Sequence, residues 1–102
     1  MSSFRFSEPW VDISEYSDAH GKALMEELST ELSSQHCLFN KHLSVIAKRE
    51  DCDKVLLTDK SKFYVVHLTW SGKQESTPYP NTVVLNSTNS VQDLLNEDAR
   101  YY

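Results

Sequence analysis

The densest run of β-branched and aromatic residues extends from Phe63 to Trp70, with the sequence FYVVHLTW. Residues of these types favour strands, and the turn sequence Ser71-Gly72-Lys73 follows at once. We therefore predict that Phe63–Trp70 is the central strand of a sheet. Because side chains alternate along a strand, two faces are expected: Tyr64, Val66, Leu68 and Trp70 on one, and Phe63, Val65, His67 and Thr69 on the other.

Shorter apolar runs on either side predict three further strands, over residues 43–49, 54–58 and 82–85. Polar stretches separate the runs, and the stretch 59–62 is short enough for a hairpin. The four strands are therefore predicted to form an antiparallel meander. In the first of them, alternation predicts one shared face and one residue opposite: Leu43, Val45 and Ala47 together, and Ile46 on the other side.

Two helices are predicted, one before the strands and one after them. Apolar residues recur at intervals of three and four between Lys22 and Ser34, and Ser17 or Asp18 can cap this helix. Its apolar stripe consists of Leu24, Leu28 and Leu32. Its glutamates are expected to point outward as solvated surface: Glu26, Glu27 and Glu31. A variant capping box at Ser90–Asp93 predicts a second, short helix near the C-terminus.

Residues 1–16 are predicted to form an arm that lies over the core. Phe4 and Phe6 alternate as in a short strand, and Pro9 favours an extended backbone at Glu8. The aromatic residues of the arm either complete the core or form a surface for a partner. Taken together, the pattern predicts a single α+β domain over residues 1–102. Its antiparallel sheet has about four strands and packs against one longer N-terminal helix and one short C-terminal helix.

The composition is that of an ordinary globular chain, with 39% hydrophobic and 25% charged residues. The net charge is −5, and the basic residues are scattered apart from Lys48-Arg49, which argues against nucleic-acid binding. No stretch approaches the ~20 apolar residues of a membrane span, and no signal-peptide core is present. We therefore predict a cytoplasmic protein, without a membrane partner, in which Cys37 and Cys52 are reduced.

Imidazole and thiolate groups, which zinc prefers, occur between residues 36 and 52: His36, Cys37, His42 and Cys52. Their spacing matches no zinc pattern, because there is no CxxC pair and the adjacent His36 and Cys37 point in diverging directions. Asp51 and Asp53 lack the further oxygen ligands of a calcium loop. We therefore expect no metal site and no cofactor.

His67 is the one candidate for acid–base chemistry, because it lies within the apolar strand. If the protein is an enzyme, we expect His67 to act as general acid or base with Asp53 or Glu75. The alternative is a hydrogen-bonded structural histidine. No nucleophile, phosphate-binding or metal signature accompanies it, so the sequence favours a protein that is not an enzyme.

Small size, acidic charge and a restrained loop instead favour a protein-interaction module, of the immunity or inhibitor type. Pro78 and Pro80 restrict the backbone around Tyr79, so that little entropy is lost when this side chain binds. An acidic surface speeds encounter with a basic protein, and aromatic residues supply anchors. The predicted binding residues are Trp70, Lys73, Tyr79 and Trp10. Homo-oligomerisation through an uncovered sheet face or a strand edge is compatible with either function.

The segment VHLTWSGK, residues 66–73, resembles a motif of a group of small bacterial proteins of uncharacterised function. In that group the motif is followed by a Glu, a Pro and a Thr, which here are Glu75, Pro80 and Thr82. The segments 36–38 and 51–56 are similar to the group's His-x-Leu and Asp-Asp-Val-Leu segments, so the likeness covers residues 24–82.

Two positions depart from that pattern. Lys54 stands where a second acidic residue is expected, and Asn40 stands where Gly is expected. If a pair of carboxylates matters to the group, this chain has lost part of it. The resemblance implies a soluble bacterial protein and implies no activity.

Overall fold

The computed structural model describes residues 4–102. In chain order the elements are β1 (Trp10–Asp12), a single 3-10 turn (Ile13–Glu15), α1 (Asp18–Glu31), β2 (Ser44–Arg49), β3 (Lys54–Thr58), β4 (Phe63–His67), β5 (Asn81–Leu85) and α2 (Thr88–Arg100). Neither helix of this part of the chain is long and apolar enough to cross a bilayer.

The strands form one antiparallel sheet in the order β1-β2-β3-β4-β5, so each strand pairs with its neighbour in sequence. This meander with a longer N-terminal and a shorter C-terminal helix confirms the predicted α+β class. The sheet has one strand more than the four that the pattern predicted, because the arm contributes β1 at residues 10–12 rather than at Phe4 and Phe6. The prediction that Phe63–Trp70 is the central strand was wrong in two respects, because β3 is the middle strand and β4, an interior strand beside it, ends at His67.

Each face of the sheet is covered by one helix. The first core cluster joins α1 to one face and contains Leu24, Leu28, Leu38, Val55, Leu57, Tyr64, Val66 and Leu68. The second joins α2 and the arm to the other face and contains Trp10, Ala47, Leu56, Val65, Val91 and Leu95. The alternation predicted along β4 is confirmed from Phe63 to Leu68, because Tyr64 and Val66 belong to the first cluster and Val65 to the second.

Strand β2 departs from the predicted alternation. A β-bulge between Val45 and Ala47 shifts its register against β3, and Ala47 therefore lies on the α2 side while Val45 stays on the α1 side. The prediction that Ala47 shares a face with Leu43 and Val45 was wrong, because one extra residue in a strand reverses every side chain that follows it.

The helix caps follow the expected chemistry. Of the two predicted caps, Ser17 or Asp18, it is Ser17 that caps α1, with its side chain accepting the backbone N–H of His20. The N-cap of helix α2 lies three residues before the predicted one, since Ser87 rather than Ser90 caps the helix and accepts the N–H of Ser90.

The arm completes the core on the α2 side. Trp10 is 2% exposed, and its indole N–H donates to Asp98 Oδ2 of α2 at 2.8 Å. Phe4 packs edge-on against Phe63 of β4, with 5.6 Å between the ring centroids. The described part of the arm therefore lies over the core as predicted, while residues 1–3 of that arm lie outside the described residues.

Candidate functional site

The segment that follows β4 does not continue the strand but packs on the C-terminal end of α1. We call residues 69–75 the Trp70 loop. The backbone N–H of Thr69 donates to Glu31 Oε1 at 2.9 Å, and the N–H of Trp70 donates to Glu31 Oε2 at 2.9 Å. The N–H of Glu75 donates to the Glu31 carbonyl, also at 2.9 Å. One residue at the end of α1 therefore holds both ends of the loop.

Glu31 is 0% exposed, which corrects the prediction that it points outward with Glu26 and Glu27. Those two differ from it: Glu26 is exposed, and Glu27 is half-buried and accepts the N–H of Gly72 at 3.1 Å. A carboxylate can be buried when backbone N–H groups satisfy its oxygen atoms. Glu31 is thus an anchor for the loop rather than part of a solvated surface.

Burial raises the pKa of the Glu31 carboxyl group, and the neighbouring Glu27 carboxyl raises it further. The amide N–H groups of Thr69 and Trp70 oppose this shift, because they bind the charged form better. The net direction is upward, so Glu31 binds a proton more readily in the folded protein than in the unfolded chain.

The raised pKa of Glu31 predicts a pH dependence of stability. Because the folded state binds the proton more tightly, the stabilisation is complete below the unfolded value of about 4.3 and is lost as the pH rises through the higher folded pKa. The free energy of unfolding of the wild type, relative to Glu31→Gln, is therefore expected to decrease over that window. Urea unfolding of both proteins at a series of pH values measures this difference.

Glu26→Gln is the matched control, because Glu26 lies on the same helix and is exposed. The difference in free energy of unfolding between this variant and the wild type is expected to stay constant over the same pH window. A Glu31→Gln difference that is equally level, or that rises with pH, contradicts a raised pKa of Glu31.

Trp70 is presented to solvent by an unusual backbone conformation. Its φ is 56°, in the left-handed region that only a few per cent of non-glycine residues adopt, and its side chain is 44% exposed. Gly72, two residues later, has φ 70°, where the absence of a Cβ removes the steric cost. At Trp70 the conformation costs about 1 kcal/mol or more, and the hydrogen bonds to Glu31 hold it in place.

Polar contacts within the loop further restrict it. The Thr69 hydroxyl donates to Glu75 Oε2 at 2.8 Å, and the Ser71 hydroxyl donates to the Lys73 carbonyl at 3.1 Å. The neighbouring Ser71 and Thr69 side chains lower the pKa of Glu75. Glu75 is therefore anionic at neutral pH, beside Trp70 and Lys73.

The connection between β4 and β5 is held by a buried histidine at the end that precedes β5. His36 is 7% exposed; its Nε2–H donates to the Pro80 carbonyl at 2.9 Å, and its Nδ1 accepts the N–H of Leu38 at 3.1 Å. Both ring nitrogens are thus used by backbone groups. Within residues 4–102, no three His, Cys, Asp or Glu side chains come close enough to hold a metal ion.

The four predicted binding residues have different environments. Trp70 and Lys73 are exposed together on the Trp70 loop, and Tyr79 is 48% exposed just before β5. Trp10, in contrast, is packed inside the core against α2. Its contribution is therefore to stability, and the surface candidates are Trp70, Lys73 and Tyr79.

The residues of the enzymatic alternative do not form a hydrogen-bonded group. His67 is exposed at the end of β4, opposite Lys54 and Asn81 in the sheet register. In the described part of the chain, no hydrogen bond joins His67 to Asp53 or Glu75, and the Glu75 carboxylate binds Thr69 instead. Acid–base chemistry at His67 stays a prediction that no contact of its imidazole supports.

No family model, no curated protein and no solved structure matches this chain significantly.

Proposed function

We propose that this protein is an interaction module, of the immunity or inhibitor type, that binds a basic protein through Trp70. The observation that supports the proposal is the exposed Trp70 side chain on a left-handed backbone held by the buried Glu31 carboxylate. A strained conformation that the surrounding structure holds in place is typical of functional sites. The hypothesis therefore assigns Trp70 as the central anchor of the interface.

The geometry favours tight binding for an entropic reason. Tryptophan is enriched among the few interface residues that carry most of the binding energy. A loop that is already ordered in the free protein loses little conformational entropy when the partner binds. Hydrogen bonds to α1 order this loop in advance, and they come from four of its backbone N–H groups: Thr69, Trp70, Gly72 and Glu75.

The charges around Trp70 favour a basic partner. Glu27 lies against the loop, Glu75 is held anionic within it, and Lys73 is its one basic residue. The chain as a whole carries a net charge of −5. An acidic surface accelerates encounter with a positively charged protein, by a factor that falls as salt rises.

The proposal also assigns the protein to the bacterial cytoplasm. The bacterial source follows from the resemblance of VHLTWSGK to a bacterial group. Cys37 and Cys52 are both free thiols, as is usual in a reducing compartment. Fractionation of the source cell, followed by antibody detection, tests this assignment, and recovery from the periplasm or medium would refute it.

The test is capture of a partner from extracts of the source cell by immobilised wild-type protein, with mass spectrometry and a salt series. We expect a stoichiometric basic protein that is retained at low salt and released as salt rises. The same protein is expected to be lost from the Trp70→Ala column and reduced on the Tyr79→Ala column, because both side chains are exposed aromatic anchors.

Tyr101→Ala is the matched control, because Tyr101 is also an exposed aromatic residue, 77% exposed, but follows the end of α2. The Tyr101→Ala column is expected to retain the partner as the wild type does. Equal retention on the Trp70→Ala column, or the absence of any stoichiometric partner, overturns the proposal.

A further inference from the structure

Strand β5 is an edge of the sheet that the described part of the chain leaves unpaired. Beyond the ladder with β4, the backbone of Asn81–Leu85 makes no hydrogen bond within residues 4–102. Val83 is 53% exposed and Val84 is 44% exposed. Val83 pairs with Val65 and Val84 with Tyr64, which belong to opposite core clusters, so the two valines lie on opposite faces.

The features with which proteins usually protect an edge strand are missing from β5. Proteins protect edges with charged residues, proline, bulges or very short strands. The sequence NTVVL has no charge and no proline, and its register with β4 is regular over all five residues. The opposite edge is protected, since β1 has only three residues and includes Asp12.

We propose that β5 is a self-association surface, on which β5 of a second copy pairs antiparallel to continue the sheet. The twofold axis passes through Val83, which faces Val83 of the second copy, while Thr82 of each copy faces Val84 of the other. The sheet then runs without interruption through ten strands. This surface is separate from the Trp70 loop and does not depend on the proposed function.

Charge favours a second copy of this chain as the partner that pairs with β5. Two chains of net charge −5 repel each other, so they associate most easily through a strip without charged residues, and β5 is such a strip. The strand is also self-complementary, because β-branched residues face β-branched residues across the axis. Two five-residue strands bury less than the roughly 1,200 Å² of a stable dimer, so the dimer is weak, with a dissociation constant in the micromolar range or above.

The test is sedimentation equilibrium of the full chain over a concentration series up to about 1 mM. We expect a reversible monomer–dimer equilibrium that tightens as salt rises from about 0.01 M to about 1 M, because salt screens the repulsion between the two copies. Val83→Lys places two like charges directly opposite each other at the axis. It is expected to weaken the dimer at least about tenfold without unfolding the chain, since Val83 is exposed.

Asn89→Lys is the matched control, because it makes the same change in net charge at an exposed position outside the strand. It is expected to dimerise at least as well as the wild type, and so is Trp70→Ala. In a Cys37→Ser, Cys52→Ser background, Val83→Cys is expected to form a disulfide-linked dimer, since residues that face each other across a strand pair are close enough for this bond. A wild type that stays monomeric, or a Val83→Lys variant that dimerises like the wild type, overturns the proposal.

Discussion

Replacement of Glu31 by alanine is expected to lower the free energy of unfolding by about 3 kcal/mol. The variant removes the acceptor of the Thr69 and Trp70 amides, which lie on a loop packed against α1. Loss of a partner costs a fully buried amide about 1–3 kcal/mol, and these two amides, which are partly buried, lie towards the lower end of that range. Two effects partly offset these costs. The variant no longer buries a carboxyl group, and water can enter the space that the Glu31 side chain leaves. Urea unfolding followed by circular dichroism measures the loss.

The effect is also expected to be local to the Trp70 loop. In the Glu31→Ala variant the amide protons of Thr69 and Trp70 should exchange with solvent much faster, whereas those of β3 should follow only the change in global stability. Glu26→Ala, on the exposed side of the same helix, is expected to change stability by less than about 0.5 kcal/mol. If Glu31→Ala matches Glu26→Ala and the two loop amides stay protected, Glu31 is not the anchor.

The parts of the fold that the sequence predicts well are those that local pattern determines. The faces of β4 follow from strict alternation between Phe63 and Leu68, and the start of α1 follows from a serine that can accept a backbone N–H. The strand Lys54–Thr58 has the predicted bounds because polar turns flank a short apolar run. In each case the residue type and its neighbours contain the information.

The candidate site was predicted only in part, because its anchor depends on contacts between distant residues. Trp70 and Lys73 could be chosen from their loop, but a glutamate on a helix is ordinarily a surface residue, and the partners of Glu31 lie 38 and 39 positions later. His36 is a similar case, since its acceptor is the Pro80 carbonyl. The one local signal was Glu27 and Glu31, spaced four apart beside an apolar stripe, which places both on a face that can meet another segment.

The second large effect concerns Trp70 itself, at which two substitutions are expected to weaken binding equally but to differ in stability. Trp70→Ala and Trp70→Gly both remove the indole anchor, and each is expected to weaken binding of the captured partner by at least about thirtyfold, the equivalent of a 2 kcal/mol hot spot. Titration calorimetry or surface plasmon resonance with the purified partner measures this loss. Because both variants lack the same side chain, their affinities for the partner should be similar.

Their stabilities should differ, because only glycine adopts a φ of 56° without a steric cost. Trp70→Gly is therefore expected to be more stable than Trp70→Ala by about 1 kcal/mol. Ala23→Gly provides the reference, because Ala23 is exposed on α1 and this variant again compares alanine with glycine at one position. There the order should be reversed, with the Ala23→Gly protein less stable than the wild type by about 1 kcal/mol. A Trp70→Gly variant that is no more stable than Trp70→Ala shows that the backbone is unstrained. In that case the exposed tryptophan is held at no cost, and strain at Trp70 does not serve binding.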